Sequence, residues 1–241
     1  MILDIASHLF IFAPVVTVLV YNLFDHGFAR RHFYWFAGAG ALIELISALV
    51  AGAALIASNA SCYEFGIFSA MSAPAAAYFE LTPLNLFFMA VIGLVSFISV
   101  LIAKQTVDFN RSSYTNLLMI LMLGMNGMLL VSDLFSLYVF MEVTGICCFV
   151  MIAMFRSKAD LEGSFKYLVM SELASIFILS GIAFLLMKTG SVRYEDLAAL
   201  TPGGQDVRDR LVEIGIVLLL AGFSVKTGVV PFHSWLPDAH Q

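Results

Sequence analysis

Apolar runs long enough to cross a bilayer alternate with short polar segments along the whole chain. Seven stand out, at roughly 5–24, 33–57, 84–103, 114–131, 134–155, 165–187 and 211–235. Each approaches or exceeds the about 20 residues that a helix needs to span the hydrocarbon core. The two-residue alternation of a membrane strand is absent, which leaves helices as the way to satisfy the backbone in lipid. The pattern predicts an all-α polytopic membrane protein of about seven transmembrane helices. The first run is longer than a secretory apolar region of roughly 7–15 residues and has no basic residue before it, so it reads as a retained helix.

Composition strengthens this picture: 61% of the 241 residues are hydrophobic, and the mean hydropathy is +0.96. A soluble fold could not hide so much apolar surface, since ordinary domains are about half apolar. The net charge of −5 gives no footprint for nucleic acid, which asks for a basic surface. Cys62, Cys147 and Cys148 lack metal-ligand spacing and read as packing residues. There is no flavin fingerprint, Fe–S cysteine run or nickel-ligand pair, so no cofactor is expected.

The polar segments sort by charge. Arg30, Arg31, Lys104, Arg111, Arg156 and Lys158 follow the first, third and fifth runs, which predicts those loops on the cytoplasmic side. The connection 58–83 carries Glu64 and Glu80 but no lysine or arginine. That predicts the N-terminus outside and the C-terminus in the cytoplasm. The segment 188–210 fits less well. It interleaves Lys188, Arg193, Arg208 and Arg210 with four acids around the Thr201-Pro202-Gly203-Gly204 turn.

Of the 12 lysines and arginines, Lys166 and Lys226 fall inside apolar runs, together with the acids Glu44, Glu142 and Glu172. An ionisable group at mid-bilayer costs at least about 2.5–3.5 kcal/mol, so it comes with a partner, a water cavity or a functional reason. Glu142, ninth in its run, lies roughly 12 Å deep at 1.5 Å per residue. No cation neighbours it in sequence, so its partner must come from another helix. It is either a neutral acid held between helices or a proton or cation relay.

Lys226 stands between Gly222 and Gly228 with Pro231 close behind, which predicts a helix broken at these three residues. Breaks inside a membrane survive where protein or water satisfies the freed backbone. The rival reading is a lysine that snorkels to the interface. Lys166 is either a second intramembrane cation or a cytoplasmic anchor, and Glu44 and Glu172 are expected to be satisfied by hydrogen bonds between helices. His233 and His240 have no third ligand nearby, so no metal site is expected, whereas a histidine there could exchange protons.

The string VKTGVVPFHSWLPDAH, from Val225 to His240, resembles the signature of the antiporter-like membrane subunits shared by respiratory complex I, Mrp cation/proton antiporters and energy-converting membrane-bound hydrogenases. DLFSLYVFMEV resembles the family segment that ends in a glutamate on the fifth helix. FKYLVMSELASIFILSGIAFLLMKTGSVRYEDLA resembles the sixth helix and its following loop. The resemblance implies that Glu142 and Lys226 form an ion pair that relays protons, with Lys166 and His233 on the same path.

It also implies domains: residues 1–83 as two N-terminal helices and an outer loop, and 84–241 as the antiporter-like transmembrane domain with its seventh helix discontinuous. Family members run to about fourteen helices in two inverted repeats. This chain is thus expected to hold the first inverted repeat, incomplete, ending before an eighth helix. Thr82 stands where many relatives have an acid.

The implied function is a proton-translocating subunit, or half-subunit, of a redox-driven complex of the NADH:quinone oxidoreductase or membrane-bound hydrogenase type. It would have no redox centre of its own. Its expected partners are other membrane subunits, one of them supplying the second half, and protons or sodium. The alternatives are an Mrp-type sodium/proton antiporter component and a structural subunit that does not pump. A standalone quinone reductase is the weakest reading.

Overall fold

A computed structural model describes residues 2–23, 26–58, 62–66, 78–107, 111–198 and 210–239. Every apolar run becomes a helix. In chain order these are α1 (Ile2–Leu23), α2 (His26–Ala57), α3 (Pro83–Thr106), α4 (Arg111–Leu130), α5 (Leu134–Ala153) and α6 (Lys158–Thr189). The short α7 (Tyr194–Ala198) follows, then α8 (Arg210–Lys226), a 3-10 turn at Phe232–Ser234, and α9 (Trp235–Ala239).

Among the described residues five helices are long and apolar enough to cross a membrane: 34–57 within α2, α3, 112–130 within α4, α5 and α6. The seventh run does not stay helical to 235, because α8 stops after 17 residues. Large apolar side chains such as Phe87, Val91, Val95, Ile176 and Leu179 remain exposed along these helices, as suits elements solvated by lipid tails.

The chain divides into two compact units, Met1–Val131 and Ser132–Gln241. Within the first unit α3 packs on both α2 and α4, most closely on α2. Gly93 shows why. A Cβ there would lie 3.0 Å from the Leu45 nitrogen and 3.3 Å from the Ala41 carbonyl, so the two backbones touch through the missing side chain. In lipid, where apolar burial gives little drive, such close fits hold helices together.

The core of this first unit gathers Ala37, Ala41, Val100, Leu118, Met119 and Met122. Tyr34 donates to the carbonyls of Ala103 at 2.7 Å and Val107 at 3.1 Å, which satisfies carbonyls at the end of α3. Thr82 caps the start of α3 by accepting from the Asn85 amide, and Pro83 at the first helical position needs no donor there.

Part of the expected outer loop is an antiparallel strand pair, β1 (Tyr63–Gly66) and β2 (Tyr78–Leu81), with Phe65 opposite Phe79. Four-residue strands carry too short a pattern to show above a loop. Glu44 departs from expectation too. It is fully buried, and neither carboxylate oxygen has a hydrogen-bond partner. Glu172 lies exposed on α6.

In the second unit α6 lies between α5 and α8. Asp133 caps α5 by accepting from the Ser136 amide at 2.7 Å, and Ser157 with Asp160 forms a capping box at the start of α6. Gly190, in the left-handed conformation at φ 70°, closes α6. The chain then returns to the foot of α5, where the Leu134 amide donates to the Val192 carbonyl and the Tyr194 amide to the Ser132 carbonyl, both at 3.0 Å. Ser164 ties α6 to α5 by donating to the Phe149 carbonyl at 2.7 Å.

Candidate functional site

Three helices of the second unit bring one polar side chain each to a common point. α5 presents Glu142, α6 presents Ser175, and α8 presents Lys226 as its last residue. The Lys226 Nζ donates to Glu142 Oε1 at 2.6 Å, with the side chains 11% and 18% exposed respectively. It also donates to Ser175 Oγ at 3.3 Å. Ser175 in turn donates to Glu142 Oε1, and its oxygen also lies 2.8 Å from the Ser171 carbonyl. The carboxylate therefore receives one charged and one neutral donor, which is how a buried ion pair offsets its desolvation.

The approach of α8 to α6 depends on small residues. A Cβ on Gly181 would lie 2.8 Å from the Gly215 carbonyl, and one on Gly222 would lie 2.8 Å from the Ala174 carbonyl. Gly222 is one turn before Lys226, and its neighbour Ala174 is beside Ser175. Its job is contact. The expectation that Gly222 breaks the helix is corrected, because α8 runs through it without interruption to Lys226.

The break follows the lysine. The Val229 amide donates to the Ser224 carbonyl at 3.0 Å and the Gly228 amide to the Val225 carbonyl at 3.1 Å. Gly228 sits at φ 66°. This double bond with a left-handed residue is the Schellman stop, and glycine adopts it without a Cβ penalty. Pro231 then has no amide hydrogen with which to resume the helix. Lys226 thus lies at the carbonyl end of α8, where the helix dipole favours a cation.

Downstream, Trp235 is buried and stacks on Tyr167 of α6, with ring centres 4.9 Å apart and planes at 9°. That contact fixes the turn to the helix that carries Ser175. Tyr138, one turn before Glu142 on α5, lies within electrostatic reach of both Glu142 and Glu172.

Of the residues singled out in the sequence, Glu142 and Lys226 are brought into direct contact. Lys166 stands apart, in the early turns of α6, paired with Glu162 at 2.7 Å and partly exposed. It lines a cleft of about 390 Å³ with Phe165, Val169, Met170, Ser234 and Trp235. His233 is exposed in the 3-10 turn, next to Ser234. Ser175 was not singled out. The signal available was two serines, Ser171 and Ser175, one turn apart in an apolar run and so on one face.

Residues 131–241 match the family model described as NADH:quinone oxidoreductase/Mrp antiporter, transmembrane. The match covers the second compact unit and its ion pair. NADH-quinone oxidoreductase subunit N of Rubrobacter xylanophilus is 30% identical over 215 residues, 83% of this chain and 44% of that protein. A Na(+)/H(+) antiporter subunit of Alkalihalophilus pseudofirmus is 32% identical over 150 residues, 61% of this chain and 30% of that protein. A chain of the membrane-bound sulfane sulfur reductase, an archaeal respiratory membrane complex, superposes with a TM-score of 0.86 at 25% identity. That match covers 98% of this chain and 47% of the other. The chain spans less than half the length of these relatives.

Proposed function

We propose that this chain, whose residues 131–241 match the NADH:quinone oxidoreductase/Mrp antiporter transmembrane family, is a proton-translocating membrane subunit of a redox-driven complex. The observation that carries the reading is the buried contact of 2.6 Å between Lys226 Nζ and Glu142 Oε1. While Glu142 is ionised it favours the charged lysine. A proton arriving on Glu142 removes that support, and Lys226 then releases its own proton along a hydrated path.

In this reading Lys166 and His233 extend the relay from the cleft beside Trp235. Electron transfer belongs to neighbouring subunits, and this chain contributes the protonic step. Its partners are other membrane subunits, which continue the path beyond the pair. The membrane is the energy-coupling one, with the N-terminus outside and the C-terminus cytoplasmic.

Glu142→Gln in the assembled complex keeps the shape of the side chain and removes its charge. Proton pumping, followed as acidification of vesicles, should be lost while electron transfer is partly retained. Unchanged pumping would leave a structural subunit as the reading. The likeness to a Na(+)/H(+) antiporter component favours one rival, an Mrp-type sodium/proton antiporter part. That rival wins if vesicles build sodium-dependent pH gradients with no redox substrate present.

A further inference from the structure

A second acid, Glu44, lies in the first unit. Glu44 sits one turn beyond Gly40 on α2, where that helix meets α1 and α4. A Cβ on Gly40 would lie 3.1 Å from Thr17 Oγ1 and 3.3 Å from Met119 Sδ. The Glu44 side chain is 1% exposed, and both of its oxygens lack a hydrogen-bond partner. Asn126 of α4 lies next to it without forming a bond of proper geometry. The Asn126 Nδ2 donates one of its two hydrogens to the Phe10 carbonyl of α1 at 3.1 Å, which orients the amide and leaves one N–H on the Glu44 side. Its Oδ1 is buried and unpaired.

Three acceptor oxygens thus share an apolar site, and none of them receives a hydrogen bond of proper geometry. Buried polar groups are almost always paired, and leaving them unpaired costs more than the bond itself contributes. One added proton relieves this, because a neutral Glu44 has an O–H to donate and the neighbouring Asn126 has an unpaired Oδ1 to accept it. We propose that Glu44 is a proton-binding site, loaded at neutral pH, with Asn126 Oδ1 accepting the hydrogen bond of the acid.

Among the described side chains no charged group faces it. On α2 itself, Ser47 is engaged with the Glu44 carbonyl at 2.8 Å, and Tyr34 donates to the end of α3. α1 offers Thr17, which donates to the Ala13 carbonyl. α3 presents Gly93 at this level, with its Lys104 in the last turn. α4 brings Asn126, and its Tyr114 packs, like Tyr34, against the buried cluster around Met119. A metal cation fits less well, since hard cations gather about six oxygen ligands and the unpaired oxygens number three.

Infrared spectroscopy of the full chain in liposomes tests this directly. At neutral pH the wild type minus Glu44→Gln difference should show the carbonyl band of a protonated carboxyl. In Asn126→Leu, where the acid loses its acceptor, that band should move to higher wavenumber. In the wild type the moving band should persist above pH 7, where exposed carboxyls with pKa values of about 4 have long ionised, so the result does not hang on one variant folding. A carboxylate doublet at neutral pH in place of the band overturns the proposal. So does a band that sodium, but not potassium, abolishes, which would assign the site to a metal cation.

Discussion

Ser175 has one hydroxyl proton and two acceptors within reach, the Glu142 carboxylate and the Ser171 carbonyl, while its oxygen accepts from Lys226. It can therefore follow the charge on its neighbours, turning to the carboxylate when Glu142 is ionised and to its own helix when Glu142 is protonated. Ser175→Ala should slow proton translocation about tenfold or more, the worth of a hydrogen bond to a charged group, and Ser175→Thr should restore most of it. Rates in vesicles holding the assembled complex decide the matter, and an Ala variant at full rate would remove the serine from the relay. Glu142 and Lys226 were legible in the sequence because a charge in an apolar run is expensive and demands a reason. Ser175 was not, because a serine in a membrane helix commonly satisfies itself on the preceding turn.

A glycine in a helical run can end the helix or let a neighbour approach, and at the level of elements this second unit contains both kinds. Gly228 carries the positive φ of the Schellman stop, whereas Gly222 lies against the Ala174 carbonyl and Ile178. Sequence spacing cannot separate the two, since the difference lies in what the partner helix places opposite. Gly222→Val should cost about 1–3 kcal/mol, the range for forcing extra atoms into a packed site, and should lower the thermal unfolding midpoint in detergent. Gly52, where an added Cβ meets nothing within 4 Å, is the control. Gly52→Ala should be neutral or stabilising by up to about 1 kcal/mol, as alanine is the better helix former. The existence of the helices was readable, because lipid imposes a long uniform pattern, but their ends were not: α2 and α6 begin seven residues before their apolar runs and α8 stops nine residues short of 235. The strand pair was not readable, since four residues on each side carry too little of a pattern.

For the whole molecule, the proposed orientation places the β1–β2 segment outside and the turn between α5 and α6 in the cytoplasm. The exposed Cys62 precedes β1, while Cys147 and Cys148 lie within α5. An impermeant maleimide added to intact cells should therefore label Cys62 and spare the other two. Labelling of Cys62 only after the cells are opened would invert the topology. Loop charge carries this orientation as an expectation from the sequence, whereas the contact of α3 with α2 through Gly93 exists only in space. The same holds for Tyr167 and Trp235. Their stack and the hydrogen bond from Lys226 to Ser175 hold the segment 226–235 at two points on α6, eight residues or roughly 12 Å apart along the helix. When the lysine lets go of the carboxylate, the stack still tethers it nearby. Its effective concentration at Glu142 stays high, so each separation is a brief excursion and the pair is ready to re-form for the next proton.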